Sequence, residues 1–360
     1  MKTSLSNRNQ AMLETSIEIS IKGNWVRVPA SHIAGQTIAV QGTWLRMAAI
    51  HDEEWLDTEL EDPELCVKQL RNRPLHGLHA DIFTFSRKPA ASFPTYPYHM
   101  EPDSIAAIRL ASFKEWWEKL PQETRKNVRR SQKRGVVVSI RGFDDELVRG
   151  IVTVNNDSPV RQGQPNAHYG KSFQQVKRDH SAFLDRSDFI CAYLGDEMIG
   201  YAKVVYRGEV ASILNFAPKT SHSDKRPANA LLAKVVEACA ARGVGYVTYG
   251  KFNYGNKRDT PLREFKERNG FGEMLVPRFY VPLTRWGALC MKLGLHRGLL
   301  GVLPHGIITL GAKARSKWYG LTNSTSRCSS MPERPNSTRQ MECSNPPAGS
   351  NDCPNGTNFL

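Results

Sequence analysis

The feature that most constrains the fold is a block of strand-like and helix-like segments between residues 189 and 283. Runs rich in β-branched and aromatic residues are separated by Gly195-Asp196 and by Arg207-Gly208, which favour β-hairpin turns. A helical pattern then begins at Pro227 and ends before Gly243. The block predicts strands at 189–194, 198–206 and 209–216, a helix at 228–242, a strand at 246–252, a helix at 261–269 and a strand at 275–283. These elements predict an α/β domain that begins with a strand meander.

The formal net charge of +14 lies in the part of the chain before residue 322, because basic and acidic residues balance in the tail. Such a field favours an anionic partner: a phosphorylated cofactor, a nucleic acid or an anionic membrane surface. The charge alone does not choose among them. A basic stripe is present, but no zinc finger or RNA-binding aromatic motif accompanies it, so we expect no DNA partner.

The seven cysteines are isolated from one another and follow no metal or disulfide spacing. We therefore expect a reduced, cytoplasmic protein without a metal site. Residues 1–15 lack the apolar segment of a signal peptide and are expected to be flexible. No apolar run reaches the roughly 20 residues of a spanning helix. Residues 322–360, rich in Ser, Asn, Pro and Gly, are expected to be disordered.

Residues 16–100 predict a small β-rich region. Apolar and polar residues alternate between residues 16 and 50, which is typical of antiparallel strands. Acidic, intermittently helical sequence follows at 52–60 and 62–70, and 80–86 predicts another strand. The proline-rich passage at 89–102 predicts a linker or an ordered loop.

The most charged helix is predicted at residues 113–134. Ser112 can cap its first turn and Gly135 follows its end, while Pro121 can divide it into two helices. Arg125, Arg129 and Lys133 recur every four residues and form a cationic stripe that is able to meet phosphates. The alternative is a helix face that is charged only because it is solvated.

The order of elements between residues 105 and 283 resembles the acyltransferase core of the GNAT superfamily, and the closer resemblance is to its FemAB-like branch. Residues 124–135 are similar to the FemAB signature Arg-Asn-x-Arg-x-x-Lys-x-Gly, with one extra residue after Arg125. The matching positions are Arg125, Asn127, Arg129 or Arg130, Lys133 and Gly135. The resemblance implies a GNAT-like α/β (α+β) fold at residues 101–285, with a mixed, mostly antiparallel central sheet flanked by helices. FemAB proteins carry two related halves, and residues 16–100 look too short for a complete one.

The start of the helix at 228–242 is the predicted donor site. A helix N-terminus presents unpaired amides and a positive dipole end, and two cations, Lys225 and Arg226, precede this one. The resemblance implies that a cofactor pyrophosphate lies there, against Lys225, Arg226, Ala228 and Asn229. The usual glycine-rich loop is absent, so the resemblance allows either acyl-CoA or aminoacyl-tRNA as donor. The alternative is ordinary surface charge.

The loop at residues 156–170 and the end of the strand at 246–252 supply the remaining candidates. By resemblance, Arg161, Gln162, His168 and Tyr169 border the acceptor, unless they only tie down their own loop. Lys251 is able to hold an anionic group, and Tyr249 or Tyr254 to deliver a proton, although both tyrosines also suit a core. A carboxylate base is expected as well, and Asp224 or Glu209 are candidates without a motif.

Residues 286–321 are apolar and basic but interrupted by glycines. They predict either a segment that lies on an anionic membrane or one that packs on the domain. Taken together, the sequence predicts a cytoplasmic N-acyltransferase, which the first of these two alternatives would place at the inner face of the membrane. It would transfer an acyl or aminoacyl group from the anionic donor to an amine-bearing acceptor. A cell-wall or polysaccharide precursor, such as a lipid- or nucleotide-linked sugar, suits this reading. The alternative is a noncatalytic protein that binds RNA, polysaccharide or anionic lipid.

Overall fold

The computed structural model describes residues 15–21, 24–52, 60–72, 78–87, 96–161, 164–253 and 260–297. Its strands are β1 (Thr15–Ile21), β2 (Asn24–Ile33), β3 (Gln36–Gln41), β4 (Met47–Ile50), β5 (Ile82–Ser86), β6 (His99–Arg109), β7 (Val136–Arg141), β8 (Val160–Arg161), β9 (Gln164–Pro165), β10 (Ser187–Leu194), β11 (Glu197–Arg207), β12 (Val210–Pro218), β13 (Tyr246–Lys251) and β14 (Gly272–Pro282). Its α-helices are α1 (Pro63–Arg71), α2 (Phe113–Lys119), α3 (Gln122–Lys133), α4 (Asp145–Asn155), α5 (Phe173–His180), α6 (Pro227–Ala241), α7 (Pro261–Arg268) and α8 (Arg285–Lys292).

Twelve of these strands form one sheet, in the order β1-β2-β3-β4-β5-β14-β6-β13-β12-β11-β10-β7. Neighbouring strands pair antiparallel except for β4 with β5 and β12 with β13. The mixed, mostly antiparallel sheet expected from the sequence is thus confirmed, with helices packed on it.

The two halves of the sheet have the same order of elements. Strands β1 to β4 pair antiparallel in succession, and β5 follows α1 and pairs parallel with β4. Strands β7, β10, β11 and β12 do the same in the second half, and β13 follows α6 and pairs parallel with β12. The first half is shorter because β1 is followed directly by β2, whereas α4 and α5 are inserted between β7 and β10. The region that looked too short therefore repeats the strand order of the second half.

The halves are joined by an exchange of strands at the centre of the sheet. After β5 the chain continues into β6, which pairs with β13 of the second half, and after α7 it continues into β14, which pairs with β5 of the first half. Strands β6 and β14 also pair with each other, with Pro102 opposite Pro277. Residues 99–102 thus belong to a strand rather than to the predicted linker, because β14 supplies their partners.

Most helix boundaries agree with the capping signals. The Ser112 hydroxyl accepts a hydrogen bond from the Glu115 amide at 3.1 Å at the start of α2. Pro121 separates α2 from α3, as predicted, since a proline inside one continuous helix would remove a hydrogen bond and clash with the preceding turn. No helix within the described residues has the length and apolar character needed to span a membrane.

Helix α5, which is inserted between β7 and β10, contacts the first half of the sheet. The Trp25 indole in β2 donates a hydrogen bond to the Asp179 carboxylate in α5 at 2.7 Å, and the Arg178 guanidinium lies 4.4 Å from the centre of the same indole ring. Helix α5 itself packs through Val176 against Phe189 and Tyr201 of the second half. Helix α5 therefore contacts both halves of the sheet.

The four cysteines that the structure describes, Cys66, Cys191, Cys239 and Cys290, are buried and free. Burial raises the pKa of the first three thiols to about 12 and also raises that of Cys290. These thiols stay protonated and pack as small apolar groups. Cys328, Cys343 and Cys353 lie outside the described residues.

Candidate functional site

The pairing of the parallel strands β12 and β13 is interrupted next to Tyr249 and Lys251, which the sequence suggested as catalytic residues. The two strands pair only between Val210–Ser212 of β12 and Tyr246–Thr248 of β13. On β12, Leu214 is a bulge, because Ile213 and Asn215 pair with consecutive residues of β11. On β13, the register with β6 shifts between Thr248 and Lys251, around Gly250 with its φ of 55°. Two neighbouring strands therefore both leave regular pairing at the same level of the sheet, which frees backbone groups for a ligand.

The N-terminus of α6 follows β12 after a short turn. Arg226 precedes the helix in the left-handed conformation with φ of 59°, and Pro227 occupies the first helical position. Among the described residues no side chain caps this end. Ala228 and Asn229 are half-buried in the first turn of α6. The side-chain amide of Asn229 donates a hydrogen bond to Oδ1 of Asn269 at 3.4 Å. Pro227 has no N–H, and the backbone amide of Asn229 donates to the Arg226 carbonyl at 3.2 Å. At this end an anion would therefore meet mainly the Ala228 amide and the positive end of the helix dipole.

The turn before α6 is held from two sides. The Arg134 guanidinium, just after α3, donates a hydrogen bond to the backbone carbonyl of Asp224. On the other side, the Asp157 carboxylate accepts hydrogen bonds from the Thr220 amide at 2.6 Å and the Ser221 hydroxyl at 2.5 Å. These hydrogen bonds lower the pKa of Asp157 despite its partial burial. The Lys225 ammonium lies 3.0 Å from the Asp224 carboxylate.

The hydrogen bond from α3 to the turn before α6 comes from Arg134 and not from the predicted cationic stripe. Arg129 lies over the Trp117 ring at 5.9 Å and borders a second cavity, of about 400 Å³, between α2, α3 and α6. Arg125 is half-buried and Lys133 is exposed. Arg134, which the spacing argument left out, is the α3-side cation that reaches the predicted donor turn, because it lies on a different flank of the helix.

Tyr249 lies in an aromatic cluster on the α6 side of the sheet. Its ring contacts those of Phe216 and Phe271 at centroid distances of 5.6 and 6.0 Å. The Lys266 ammonium lies 4.7 Å from the Tyr249 ring and donates a hydrogen bond to the Lys251 carbonyl at 2.7 Å. Lys266 is fully buried, and burial lowers its pKa to about 8. Tyr254 lies outside the described residues.

A cavity of about 240 Å³ opens on the central strands, next to the interrupted pairing. It is lined by residues of both halves of the sheet, from β5, β6, β12, β13 and β14. In it, the Asp103 carboxylate lies 2.5 Å from Nε of Arg278 and 4.0 Å from Nζ of Lys251. The Ser212 and Thr248 hydroxyls, 2.9 Å apart, complete a polar wall. Its charged and hydroxyl groups suit a polar, charged ligand.

Asp103 is the carboxylate that the sequence analysis missed. It directly follows the proline-rich passage at 89–102, which predicted a linker or an ordered loop. In the structure the alternate residues His99, Glu101, Asp103 and Ile105 share one face of β6. The two carboxylates that were considered do not line the cavity. Asp224 is exposed beside Lys225, and Glu209 lies in the turn between β11 and β12, at the far end of β12.

The acceptor candidates of the loop after α4 do not line the central cavity either. Arg161 donates to the Val154 carbonyl at 2.7 Å, and so ties down its own loop. His168 is half-buried, and burial together with the charge of Lys171 lowers its pKa. Tyr169 is exposed. Gln162 lies outside the described residues. Through Asp157 this loop borders the donor turn instead.

Residues 121–266 match the family model described as an acetyltransferase (GNAT) domain. Among solved structures, the crystal structure of FemX aligns with a TM-score of 0.52 and 10% identity, over 78% of this chain and 90% of FemX. The structure of L-PGS from Bacillus licheniformis aligns with a TM-score of 0.49 and 14% identity, over 76% and 89%. No curated protein sequence matches the chain significantly. The likeness to FemX is a likeness of fold, and it extends over both halves of the sheet. Residues 121–266, from α3 to α7, thus match the GNAT acetyltransferase domain model, and the fold of the chain as a whole is similar to that of FemX.

Proposed function

We propose that this protein is an N-acyltransferase that transfers an acyl or aminoacyl group from an acyl-CoA or an aminoacyl-tRNA to an amine. The observation that carries the proposal is the interrupted pairing of β12 and β13 beside the uncapped start of α6. A gap between two strands admits the reactive end of a donor, while the helix end meets its phosphates.

The donor would lie with its phosphates against the first turn of α6. Lys225 and Arg226 supply two cations there, and Arg134 holds the turn in place. The thioester or ester carbonyl would then reach the bulge at Leu214, where a backbone amide outside regular pairing can donate to the oxyanion of the tetrahedral intermediate.

The acceptor would occupy the central cavity. Its protonated amine is attracted by Asp103, which accepts the proton so that the neutral nitrogen can attack the carbonyl carbon. Lys251 and Arg278 would hold an anionic group of the acceptor, such as a phosphate or a carboxylate. Collapse of the intermediate releases the CoA thiolate or the tRNA ribose oxygen, which takes up a proton, while the new amide nitrogen loses its second proton. Tyr249 and Tyr254 are the proposed proton sources.

We propose a nucleotide-linked or lipid-linked amino sugar of a cell-wall or polysaccharide pathway as the acceptor class. The cavity has a largely apolar lining, but the opposite charges of Asp103 and of Lys251 and Arg278 within it support a sugar that carries an amine and a phosphate. Exposed apolar side chains along α8 and at its C-terminal end support contact with a membrane: Trp286 is 44%, Leu289 47% and Leu293 57% exposed. Trp44, 52% exposed, extends this patch, because the Trp286 indole donates to the Trp44 carbonyl at 3.0 Å.

The decisive experiment offers the full-length protein acetyl-CoA, longer acyl-CoAs and a mixture of aminoacyl-tRNAs, each with a panel of amino sugars. The formation of an amide product is followed by mass spectrometry, and donor binding by thermal shift. Lys225→Ala/Arg226→Ala should abolish the shift and the product. Lys68→Ala/Arg71→Ala, which removes two exposed cations from the end of α1, should leave both unchanged. Salt-sensitive binding without product for any donor would overturn the proposal and favour a noncatalytic binding protein.

A further inference from the structure

Two histidines and a glutamate lie close together at the start of β6, one of the two central strands. Nε2 of His99 and Nε2 of His296 each lie 2.8 Å from Oε1 of Glu101. The three potential ligand atoms lie within 4.8 Å of one another. His99 and Glu101 are alternate residues of β6 and share a face, whereas His296 comes from the segment after α8. Side chains from two distant parts of the chain are thus aimed at one point.

Two imidazole nitrogens and one carboxylate oxygen are a ligand set that divalent transition metals use in proteins. For bond lengths of about 2.0–2.2 Å in a tetrahedral complex, ligand atoms lie roughly 3.3 Å apart. The observed separations of 2.8 Å from Glu101 would need to widen only slightly. Mg²⁺ and Ca²⁺ prefer oxygen ligands and do not suit this set.

The groups around the cluster also suit a cation. The side chain of His296 is 2% exposed and packs against the Tyr280 ring at 4.8 Å, so its orientation is fixed. Glu101 is half-buried, and its oxygens accept hydrogen bonds from His99, His296 and Arg297.

Arg297 would compete with a metal ion for the carboxylate of Glu101. Its guanidinium donates to both oxygens of Glu101 at 3.1 Å. The side chain of Arg297 is 55% exposed, so it can withdraw into solvent or keep Oε2 alone while Oε1 binds a metal ion. An arginine that holds the second oxygen would then orient the ligand, as outer groups commonly do in metal sites.

We propose that His99, Glu101 and His296 bind one divalent transition-metal ion of the Zn²⁺ type, with at least one coordination position left for water or a substrate group. Asp103 follows Glu101 by two residues on the same face of β6, a distance of about 7 Å along the strand. The ion would therefore border the central cavity. The sequence analysis expected no metal site, because Glu101 and His296 are 195 residues apart and neither lies in a spaced ligand motif.

The test is a calorimetric titration of full-length protein with ZnCl₂, and then with CoCl₂ followed by visible absorption. Cys328, Cys343 and Cys353 are first replaced by serine, because thiolates in the tail would also bind these ions. We expect one ion per chain, a cobalt spectrum without thiolate charge transfer, and no heat with MgCl₂. Cobalt ligation by imidazole would be read independently of any enzymatic activity.

The variants His99→Gln and His296→Gln keep a hydrogen-bond donor for Glu101 but remove the imidazole ligand. Each should weaken Zn²⁺ binding by more than about 100-fold, since even outer-shell changes cost 10–100-fold. His51→Ala is the matched control, because His51 also lies 3.0 Å from a carboxylate, that of Asp52, and should not matter. The proposal is wrong if the parent protein binds no ion. It is also wrong if either glutamine variant keeps the parent's melting temperature and binds Zn²⁺ as tightly as the parent does.

Discussion

Arg134 donates a hydrogen bond to the backbone carbonyl of Asp224, and so joins the end of the basic helix α3 to the turn from which α6 begins. The contact couples two segments that are 90 residues apart in the sequence. It places a guanidinium beside the two cations, Lys225 and Arg226, that we propose for the donor phosphates.

Replacement of Arg134 by alanine should weaken donor binding. The loss of one charge-assisted hydrogen bond at an exposed turn corresponds to about 1 kcal/mol, or roughly fivefold in affinity. The measurement is the dissociation constant for coenzyme A or for a charged tRNA, whichever binds. Arg130→Ala is the control, because Arg130 is also exposed on α3 but pairs with Glu123 at 2.7 Å. Equal effects of the two variants would mean that only the overall charge matters.

Replacement of Asp103 by asparagine should lower kcat by about 100-fold or more, with a smaller change in KM. An amide of the same shape keeps contact with Arg278 but cannot accept the proton of the amine, and general base catalysis is worth about 10²–10⁴-fold. The pH profile is the discriminating readout: raising the pH should partly restore the variant, since more acceptor is then unprotonated. Asp196→Asn, in the turn between β10 and β11, should be silent. A pH profile that keeps the wild-type shape would refute the assignment of Asp103 as base.

The buried Lys266 should make stability depend on pH in an unusual direction. Burial lowers its pKa to about 8, while an unfolded lysine titrates near 10.5. Between these values the unfolded chain binds more protons than the native protein, so stability rises with pH there. Below pH 8 both states are protonated, and the destabilising effect of burial is fully present.

The check is the free energy of unfolding of wild type minus that of Lys266→Met, measured by denaturant titration. This difference should be flat below pH 7 and grow by about 2 kcal/mol by pH 9.5. Subtraction removes the titration of tyrosines and cysteines, which both proteins share. The same subtraction for Lys68→Met, at an exposed position of α1, is the control for loss of a lysine that is not buried. A flat line for Lys266→Met would show that the native lysine keeps an ordinary pKa.

The packing of α8 depends on a glycine. A Cβ added at Gly287 would lie 2.0 Å from the Asp81 carbonyl oxygen and 2.7 Å from its carbon, so the helix or the strand must move. We expect Gly287→Ala to destabilise the protein by about 1–3 kcal/mol. Gly142→Ala, where nothing lies within 4 Å of the new Cβ, should change the melting temperature little. A Gly287→Ala variant as stable as wild type would place α8 farther from Asp81.

The apolar patch of Trp44, Trp286, Leu289 and Leu293 should bind a membrane surface. Trp286→Ser/Leu289→Ser should reduce co-sedimentation with anionic phosphatidylglycerol vesicles several-fold, because the apolar face is what enters the interface. Leu65→Ser, at a 43% exposed position of α1, is the control. Binding that ignores the patch but disappears with salt would assign the contact to charge alone.

The elements that sequence patterns predicted well are those with local signals. The meander, α6 and its proline start, and the division of the basic helix at Pro121 all follow from turn and capping residues near one another in the chain. The central cavity does not, because Asp103, Lys251 and Arg278 come from three strands that meet only when β6 and β14 change places. Charge spacing identified the helix that carries Arg125 and Arg129. The side chain that reaches the turn before α6 is Arg134 instead, because the position of that turn decides which flank of α3 it contacts.

The exchange of β6 and β14 also has a consequence for the order in which the chain can fold. Strand β5 receives its antiparallel neighbour only when β14 has been synthesised, almost 200 residues later. Until then an apolar strand edge of the first half stays unpaired, and such edges are prone to associate with other chains. A fragment limited to residues 121–266 would lack both central strands and keep the edge of β13 open. During synthesis the first half therefore depends on the last strand of the second, and we expect refolding to be slow and sensitive to protein concentration.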